Sequence, residues 1–212
     1  MSLTLKRLLS HDDILLLQGK MGTFFCRFAT FLMSEGRRVH KVNFNAGDAL
    51  FYCHKDKMSN FRGRQSEFDE FLTKLIGDKQ LKAVVCFNDC RPYHEIARQV
   101  CKRLGIAFFV FEEGYLRPDY ITLEEHGING YSRLDSTLID TLQRANDKPQ
   151  FTDNRFYRLC VASMVYYVAV FVGSWRYPHY EHYRGLSLWA EAWAWVKAPV
   201  RKFTRYHSDK RL

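Results

Sequence analysis

The sequence holds no Cys-x-x-Cys pair, no internal repeat, no low-complexity tract and no leader-like apolar stretch at its start. Each absence removes a class of protein. Without Cys-x-x-Cys spacing, the six cysteines (Cys26, Cys53, Cys86, Cys90, Cys101 and Cys160) do not read as a zinc framework or a redox motif. Cys86 and Cys90 stand four apart, but Cys86 falls in an apolar strand pattern and reads as packing. Residues 1–13 are mixed and charged, with no apolar core or small-residue cleavage site. A cytoplasmic protein with free thiols is therefore expected. The nearly apolar run LCVASMVYYVAVFV at 159–172 has 14 residues, and a helix spanning a bilayer needs roughly 20. Zinc-finger and RNA-binding signatures are missing too, so no nucleic-acid partner is expected.

Acidic charge is the scarcer sign. The chain carries 32 Lys and Arg against 23 Asp and Glu, a net of +9. The excess concentrates late: residues 151–212 hold ten basic side chains against four acidic ones. By charge alone such an excess suits nucleic acid, an anionic membrane surface or an acidic substrate equally. The pairs Lys6-Arg7, Arg37-Arg38 and Lys102-Arg103 read as solvated faces. With 47% hydrophobic residues over 212 positions, a sizeable core is expected rather than disorder.

Hydrophobic periodicity alternates strand and helix through the first 130 residues. Residues 14–18 read as a buried strand, and the glycines of 19–22 break it. Residues 23–35 carry Phe24, Phe28, Phe31 and Leu32 at helical spacing, with Thr23 as a candidate N-cap and Gly36 as the stop. Residues 39–44 form a second strand. Residues 45–64 read as a long polar loop containing aromatics. A helix follows over 65–76, a third strand over 83–87, a helix over 92–104 and a fourth strand over 106–111. Pro92 opens that last helix and Gly105 closes it. This order implies an α/β fold with a Rossmann-like, mostly parallel sheet over residues 10–135. Residues 150–212 read differently, as a basic, aromatic, helical extension. It includes a polar aromatic loop at 176–184 and an amphipathic helix at 186–200 with Trp189, Trp193 and Trp195.

In such sheets ligands lie beyond the carboxyl ends of the strands. Four polar stretches follow the predicted strands: QGKMGT (18–23), NFNAGD (43–48), NDCRPYH (88–94) and EEGYLRPD (112–119). Glu112 and Glu113 read in two ways: one is a catalytic base or nucleophile and the other orients it, or one caps a turn and the other pairs with Arg117. Asp89, Arg91 and His94 likewise read as catalytic and anion-binding groups, or as a helix cap and first-turn surface residues. The turn at Gln18, Gly19 and Gly22 can present backbone N–H groups to an anion, or be a plain tight turn. It lacks the spacing of a Walker A loop or a dinucleotide fingerprint.

Taken together, the blocks QGKMGTFF, HKVNFNAGD, FRGR, FNDCRPYH, FEEGYLRPDYITLEEHGINGYSRL and RYPHYEHYRGL resemble the capsule polysaccharide biosynthesis and export proteins of the KpsS/LipB type. The resemblance runs from about residue 14 to 184. It implies a β-Kdo glycosyltransferase, one that moves 3-deoxy-D-manno-oct-2-ulosonic acid (Kdo) from CMP-Kdo. The acceptor would be a phosphatidylglycerol-type lipid anchor or a growing Kdo linker. It also implies a GT-B architecture of two Rossmann-like domains. The acid-acid-Gly motif of related transferases matches Glu112-Glu113-Gly114, and the catalytic carboxylate carries over to Glu113, with Glu112 and Asp89 beside it. Arg91, His94 and Arg117 would serve the Kdo carboxylate or an acceptor phosphate. Gln18, Gly19, Gly22 and Asn45 complete the implied substrate-binding set. No Asp-x-Asp occurs, so neither a metal nor another cofactor is implied. The sequence departs from the family at Lys20, where a proline is usual. It also has no His-Pro dipeptide and no second strand set after residue 184. The implied protein is thus the acceptor-side half of a transferase, working at the inner face of the cytoplasmic membrane with the capsule assembly and export machinery. The alternative is a non-catalytic subunit that binds lipid or a partner.

Overall fold

The computed structural model describes residues 2–113, 121–132 and 155–181. Helix α1 (Leu3–Leu9) opens the chain, and the Ser2 hydroxyl caps it by accepting from the Leu5 N–H at 3.3 Å. The apolar runs then form strands β1 (Asp13–Leu16), β2 (Arg38–Asn43), β4 (Ala83–Phe87) and β5 (Ala107–Glu113), with β3 (Met58–Asn60) and β6 (Ile121–Glu125) completing the sheet. Its order is β3-β2-β1-β4-β5-β6, parallel except for β6, which runs antiparallel to β5. Between and after the strands come α2 (Phe24–Ser34), α3 (Ala46–Leu50), α4 (Phe68–Lys79), α5 (Pro92–Leu104) and α6 (Arg155–Val172).

Strand side chains alternate between two cores, as a sheet covered on both faces requires. Leu15, Leu17, Val84 and Val110 pack with Phe68 and Leu72 of α4 and with Ala97 and Val100 of α5. Ile14, Leu16, Val85 and Phe109 pack with Leu8 of α1 and with Phe25, Ala29 and Leu32 of α2. At about 25 cal/mol per Å² of apolar surface, these two layers are the main force holding the sheet flat against its helices. Helix α5 starts at Pro92 and ends at Gly105, whose φ of +67° closes the helix in a left-handed turn that glycine adopts without cost.

Two expectations need correction, on residues 45–64 and on the cysteines, and two further elements extend the reading of the sequence. Residues 45–64 are not a loop throughout: Asn45 caps the short α3 by accepting from the Asp48 N–H at 2.9 Å, and β3 adds to the sheet edge beside β2. Strand β6, polar and on the other edge, has no apolar run to reveal it. The apolar stretch at 159–172 belongs to an 18-residue helix that starts at Arg155, and among the described residues no helix is long and apolar enough to cross a membrane. Finally, the cysteines are not all free. Cys26 on α2 and Cys53 after α3 form a disulfide with Cα atoms 5.4 Å apart, whereas Cys86, Cys90, Cys101 and Cys160 are free thiols. The α3 turn carries Cys53 back onto α2.

The chain divides into two compact units, residues 1–180 and 181–212. Helix α6 lies in the first. The expected helix at 186–200 falls outside the described residues.

Candidate functional site

Strand β1 has β2 on one side and β4 on the other. The chain therefore leaves β1 in one direction and later returns to its opposite flank, and a crevice opens there at the carboxyl ends of the strands. The loops after β1 and β4 border it. Arg91 links them, donating from Nη1 to the Gly19 carbonyl at 3.3 Å. Lys20 extends from the first loop and forms an ion pair with Glu113 at the end of β5. Both side chains are about one-third exposed, 33% and 32%, so this carboxylate is reachable from solvent.

The two adjacent acids do not form a pair. Both lie within β5, opposite Thr122 and Ile121 of β6, and successive strand residues point to opposite faces. Glu113 shares its face with Phe109 and Phe111, the face covered by α2. Glu112 shares the other face with Phe108 and Val110. There its charge helps to raise the Cys90 thiol above the ordinary value, behind burial and Asp89. The segment is strand rather than turn, and the two side chains point to opposite faces of the sheet, so they do not share a proton.

Asp89 and His94 are structural in their contacts. Asp89 is 2% exposed, and its Oδ2 accepts from the Ile128 N–H at 2.8 Å, tying the turn after β6 to the loop after β4. It does not cap α5, whose N-cap is Arg91. His94 is fully buried rather than a first-turn surface residue. Its Nδ1 meets the Asn88 carbonyl, and its Nε2 has no partner among the described residues. Burial, with the nearby Arg91 cation, pushes its pKa down to about 3, so the ring is neutral at physiological pH. Arg117 lies outside the described residues.

Gln18 and Asn45 belong to a second group, whose members are distant in sequence. Gln18 Nε2 reaches the Tyr166 hydroxyl at 3.1 Å and the Tyr180 hydroxyl at 3.2 Å, and Asp48 Oδ1 at 3.5 Å. Asn45 Nδ2 donates to the Tyr166 hydroxyl at 2.8 Å, and that hydroxyl donates to Asp48 Oδ1 at 3.2 Å. Asp48 Oδ2 accepts from the Phe44 N–H at 3.2 Å. This network pins α6 to the ends of β1 and β2. Burial and the Asp48 charge push the Tyr166 pKa well up and that of Tyr180 to about 12, so both remain hydroxyl donors.

Beside the network, Gly19 and Gly22 line a pocket together with Lys41, Asp48, Tyr52 and Tyr166. Lys41 comes from β2 and is only 3% exposed. Its partners are the Asn43 amide oxygen, the Val42 carbonyl at 3.5 Å and the face of the Tyr52 ring, with the centroid 5.4 Å away. None of these carries a charge. Burial accordingly pushes its pKa down to about 8, with Asp48 opposing the shift and Lys55 adding to it. One signal could have found Lys41: a lysine in register with Val39 and Asn43 inside a strand that otherwise buries its side chains. Nothing local announces Tyr166, which arrives from more than a hundred residues away. Among the described residues, no cluster of His, Cys, Asp and Glu is placed to hold a metal ion.

Comparison with known proteins then bears on this site. A family described as capsule polysaccharide biosynthesis protein matches residues 82–212, a span that includes Asp89, Arg91, His94, Glu112 and Glu113. The capsule polysaccharide modification protein LipB of Neisseria meningitidis serogroup B is 37% identical over 208 residues, covering 94% of this chain and 50% of its own. The capsule polysaccharide export protein KpsS of Escherichia coli is 38% identical over 199 residues, covering 92% of this chain and 51% of its own. The chain thus spans about half the length of the curated relatives it matches. One solved structure, the Bordetella bronchiseptica enzyme WbmH in complex with NAD+, overlaps 45% of this chain at 17% identity, with a TM-score of 0.36.

Proposed function

The chain belongs to the capsule polysaccharide biosynthesis proteins, and we propose that it forms the acceptor-side half of a GT-B type glycosyltransferase. In this reading Kdo moves from CMP-Kdo to a phosphatidylglycerol-type anchor or a growing Kdo linker. The observation that carries it is the position of Glu113: a solvent-reachable carboxylate at the carboxyl end of β5, held by Lys20 from the glycine loop. A base or nucleophile of this chemistry is needed where a donor held by a second half would meet an acceptor held by this one. As a base, Glu113 would take the proton of the acceptor hydroxyl as its oxygen attacks the anomeric carbon and CMP leaves. As a nucleophile, its own oxygen would bond to that carbon first, and the acceptor hydroxyl would displace it in a second step. Arg91, bordering the same crevice, suits a carboxylate or phosphate through its planar fork. The protein would work at the inner face of the cytoplasmic membrane, where lipid anchor and export machinery meet.

The test is Glu113→Gln in the full-length protein that carries this half. Kdo transfer is expected to fall by about 10²–10⁴-fold, with an unchanged thermal melt. Wild-type turnover in that variant would refute the assignment.

One observation favours a second reading, a non-catalytic lipid-binding or partner-binding subunit. The α6 residues Val161, Met164, Val168, Phe171 and Val172, with Trp175 beyond, are exposed by 57% or more at helical spacing. Binding to phosphatidylglycerol vesicles with no CMP release in the full-length protein would favour this reading over transfer.

A further inference from the structure

We infer that the pocket between the glycine loop, β2 and α6 is a binding site for the phosphate group of a phosphate ester. Three independent features converge on it. The first is a cation without a charged neighbour in direct contact: Lys41, buried and partnered only by neutral groups and an aromatic face. A buried ammonium in that state is costly and is relieved by an incoming anion. The second is an orphan hydroxyl. Tyr52 is 1% exposed, lines the same pocket, and its hydroxyl has no hydrogen-bond partner among the described residues. Such a group is expected to be satisfied, and a ligand oxygen would satisfy it. The third is the glycine loop, which leads into the 11-residue helix α2. Thr23 occupies the N-cap position, but its side chain makes no cap hydrogen bond. The first-turn N–H groups of α2 are therefore not satisfied by that side chain, and a helix N-terminus carries partial positive charge.

The charges around the pocket are Lys20, Lys41 and Lys55 against Asp48 and against Glu113, which pairs with Lys20. Asp48 does not repel an anion at full strength, because its oxygens already accept from the Phe44 N–H and the Tyr166 hydroxyl. The enclosed part has room for about one water-sized atom. That fits a single terminal oxygen in the enclosed part, with the rest of the group in the open part of the same pocket. Lysine serves a phosphate as a point charge, which needs no planar match.

The inference rests on the reading that the glycine loop faces substrate, but it is tested without turnover. Inorganic phosphate and glycerol 3-phosphate are titrated calorimetrically into the 212-residue chain and its variants. Tyr52→Phe leaves the fold intact, since the lost hydroxyl had no partner, and it is expected to weaken binding about tenfold or more. Lys41→Met is expected to remove binding. If neither probe binds the wild type, or if Tyr52→Phe binds as the wild type does, the inference is overturned. Vesicles of phosphatidylglycerol distinguish the source of the phosphate. Competition with glycerol 3-phosphate for the Tyr52-dependent site assigns a lipid headgroup, and binding of glycerol 3-phosphate without competition assigns a soluble ester. Loss of transfer in Glu113→Gln bears on the reaction alone, so the two claims fail separately.

Discussion

Replacing Lys41 with Met should make the protein more stable at neutral pH, and the gain should vanish in base. Burial holds the pKa of the folded-state ammonium at about 8, from an ordinary 10.5. Each pH unit of displacement corresponds to about 1.36 kcal/mol, so the charged form costs the folded state on the order of 3 kcal/mol. The sign follows from proton counting. Between pH 8 and 10.5 the unfolded chain keeps the proton that the folded chain has released, so stability rises with pH across that window. Below pH 8 the full cost is present, and above 10.5 it is gone. Met has similar length and no charge, and exchanging a buried charge for an apolar side chain is often stabilising. Asp48 would lose an attractive cation, but its oxygens remain hydrogen-bonded. We expect a gain of about 1–3 kcal/mol at pH 7 by urea denaturation, or about 3–10 °C in the melt. The gap should shrink towards zero by pH 10.5. Other lysines and tyrosines titrate in the same range but are common to both proteins, so the difference isolates Lys41. A gap that is absent at pH 7, or that stays constant to pH 10.5, would refute the buried-charge argument.

Two other perturbations follow from the same packing. Because burial lowers the His94 pKa from 6.5 to about 3, the unfolded chain takes up a proton between those values that the folded chain refuses. Stability should therefore fall as pH drops from 6.5 towards 3, by up to about 5 kcal/mol from this group. The His94 ring resonances should stay unshifted from pH 7.5 to 4.5, and a midpoint near 6.5 would contradict its burial. A Cβ at Gly47 would stand 2.6 Å from the Tyr166 ring, whereas one at Gly77 on α4 would meet nothing within 4 Å. Gly47→Ala should accordingly cost about 1–3 kcal/mol by forcing α6 off α3, while Gly77→Ala should be neutral or stabilising by up to about 1 kcal/mol. Equal melts for the two variants would show that the α3–α6 contact contributes nothing.

The elements that were legible in the sequence are those whose burial imposes a period. Strands β1, β2, β4 and β5 and helices α2, α4 and α5 each press a continuous apolar face into one of the two cores, and that pressure is written into residue spacing. The edge elements escape this logic. Residues 58–60 contain nothing that demands a strand; they are held by backbone pairing to β2 and by the Tyr177 hydroxyl donating to Asn60 at 2.7 Å. The disulfide escaped for a similar reason, since no spacing rule says that α3 returns Cys53 to α2. The candidate site was half legible. Glycine, amide and acidic residues after strands mark the carboxyl edge of a parallel sheet, which located Gln18, Gly19, Asn45, Arg91 and Glu113. The residues that build the pocket and the network come from long-range packing, Tyr166 and Tyr180 above all, and periodicity carries no information about which distant helix covers a strand end.

The choice between Glu112 and Glu113 shows what the fold adds to a motif. In the sequence the two carboxylates are adjacent, and only the family resemblance favours Glu113 over Glu112. In an extended strand they cannot serve one site, because the sheet separates their side chains. The glycine loop and Lys20 approach from the face covered by α2, and only Glu113 lies on that face. The opposite face offers Glu112 the neighbourhood of Cys90 and Asp89, whose charge is already engaged by the Ile128 N–H. Of the two, a reacting group brought to the crevice by the loop after β1 would thus meet Glu113 and not Glu112. Lys20 of the glycine loop is the residue that pairs with it. Glu113 with Lys20 as its partner fits the lone base or nucleophile of the proposed transfer, and the separation of the two acids argues against a proton shared between them.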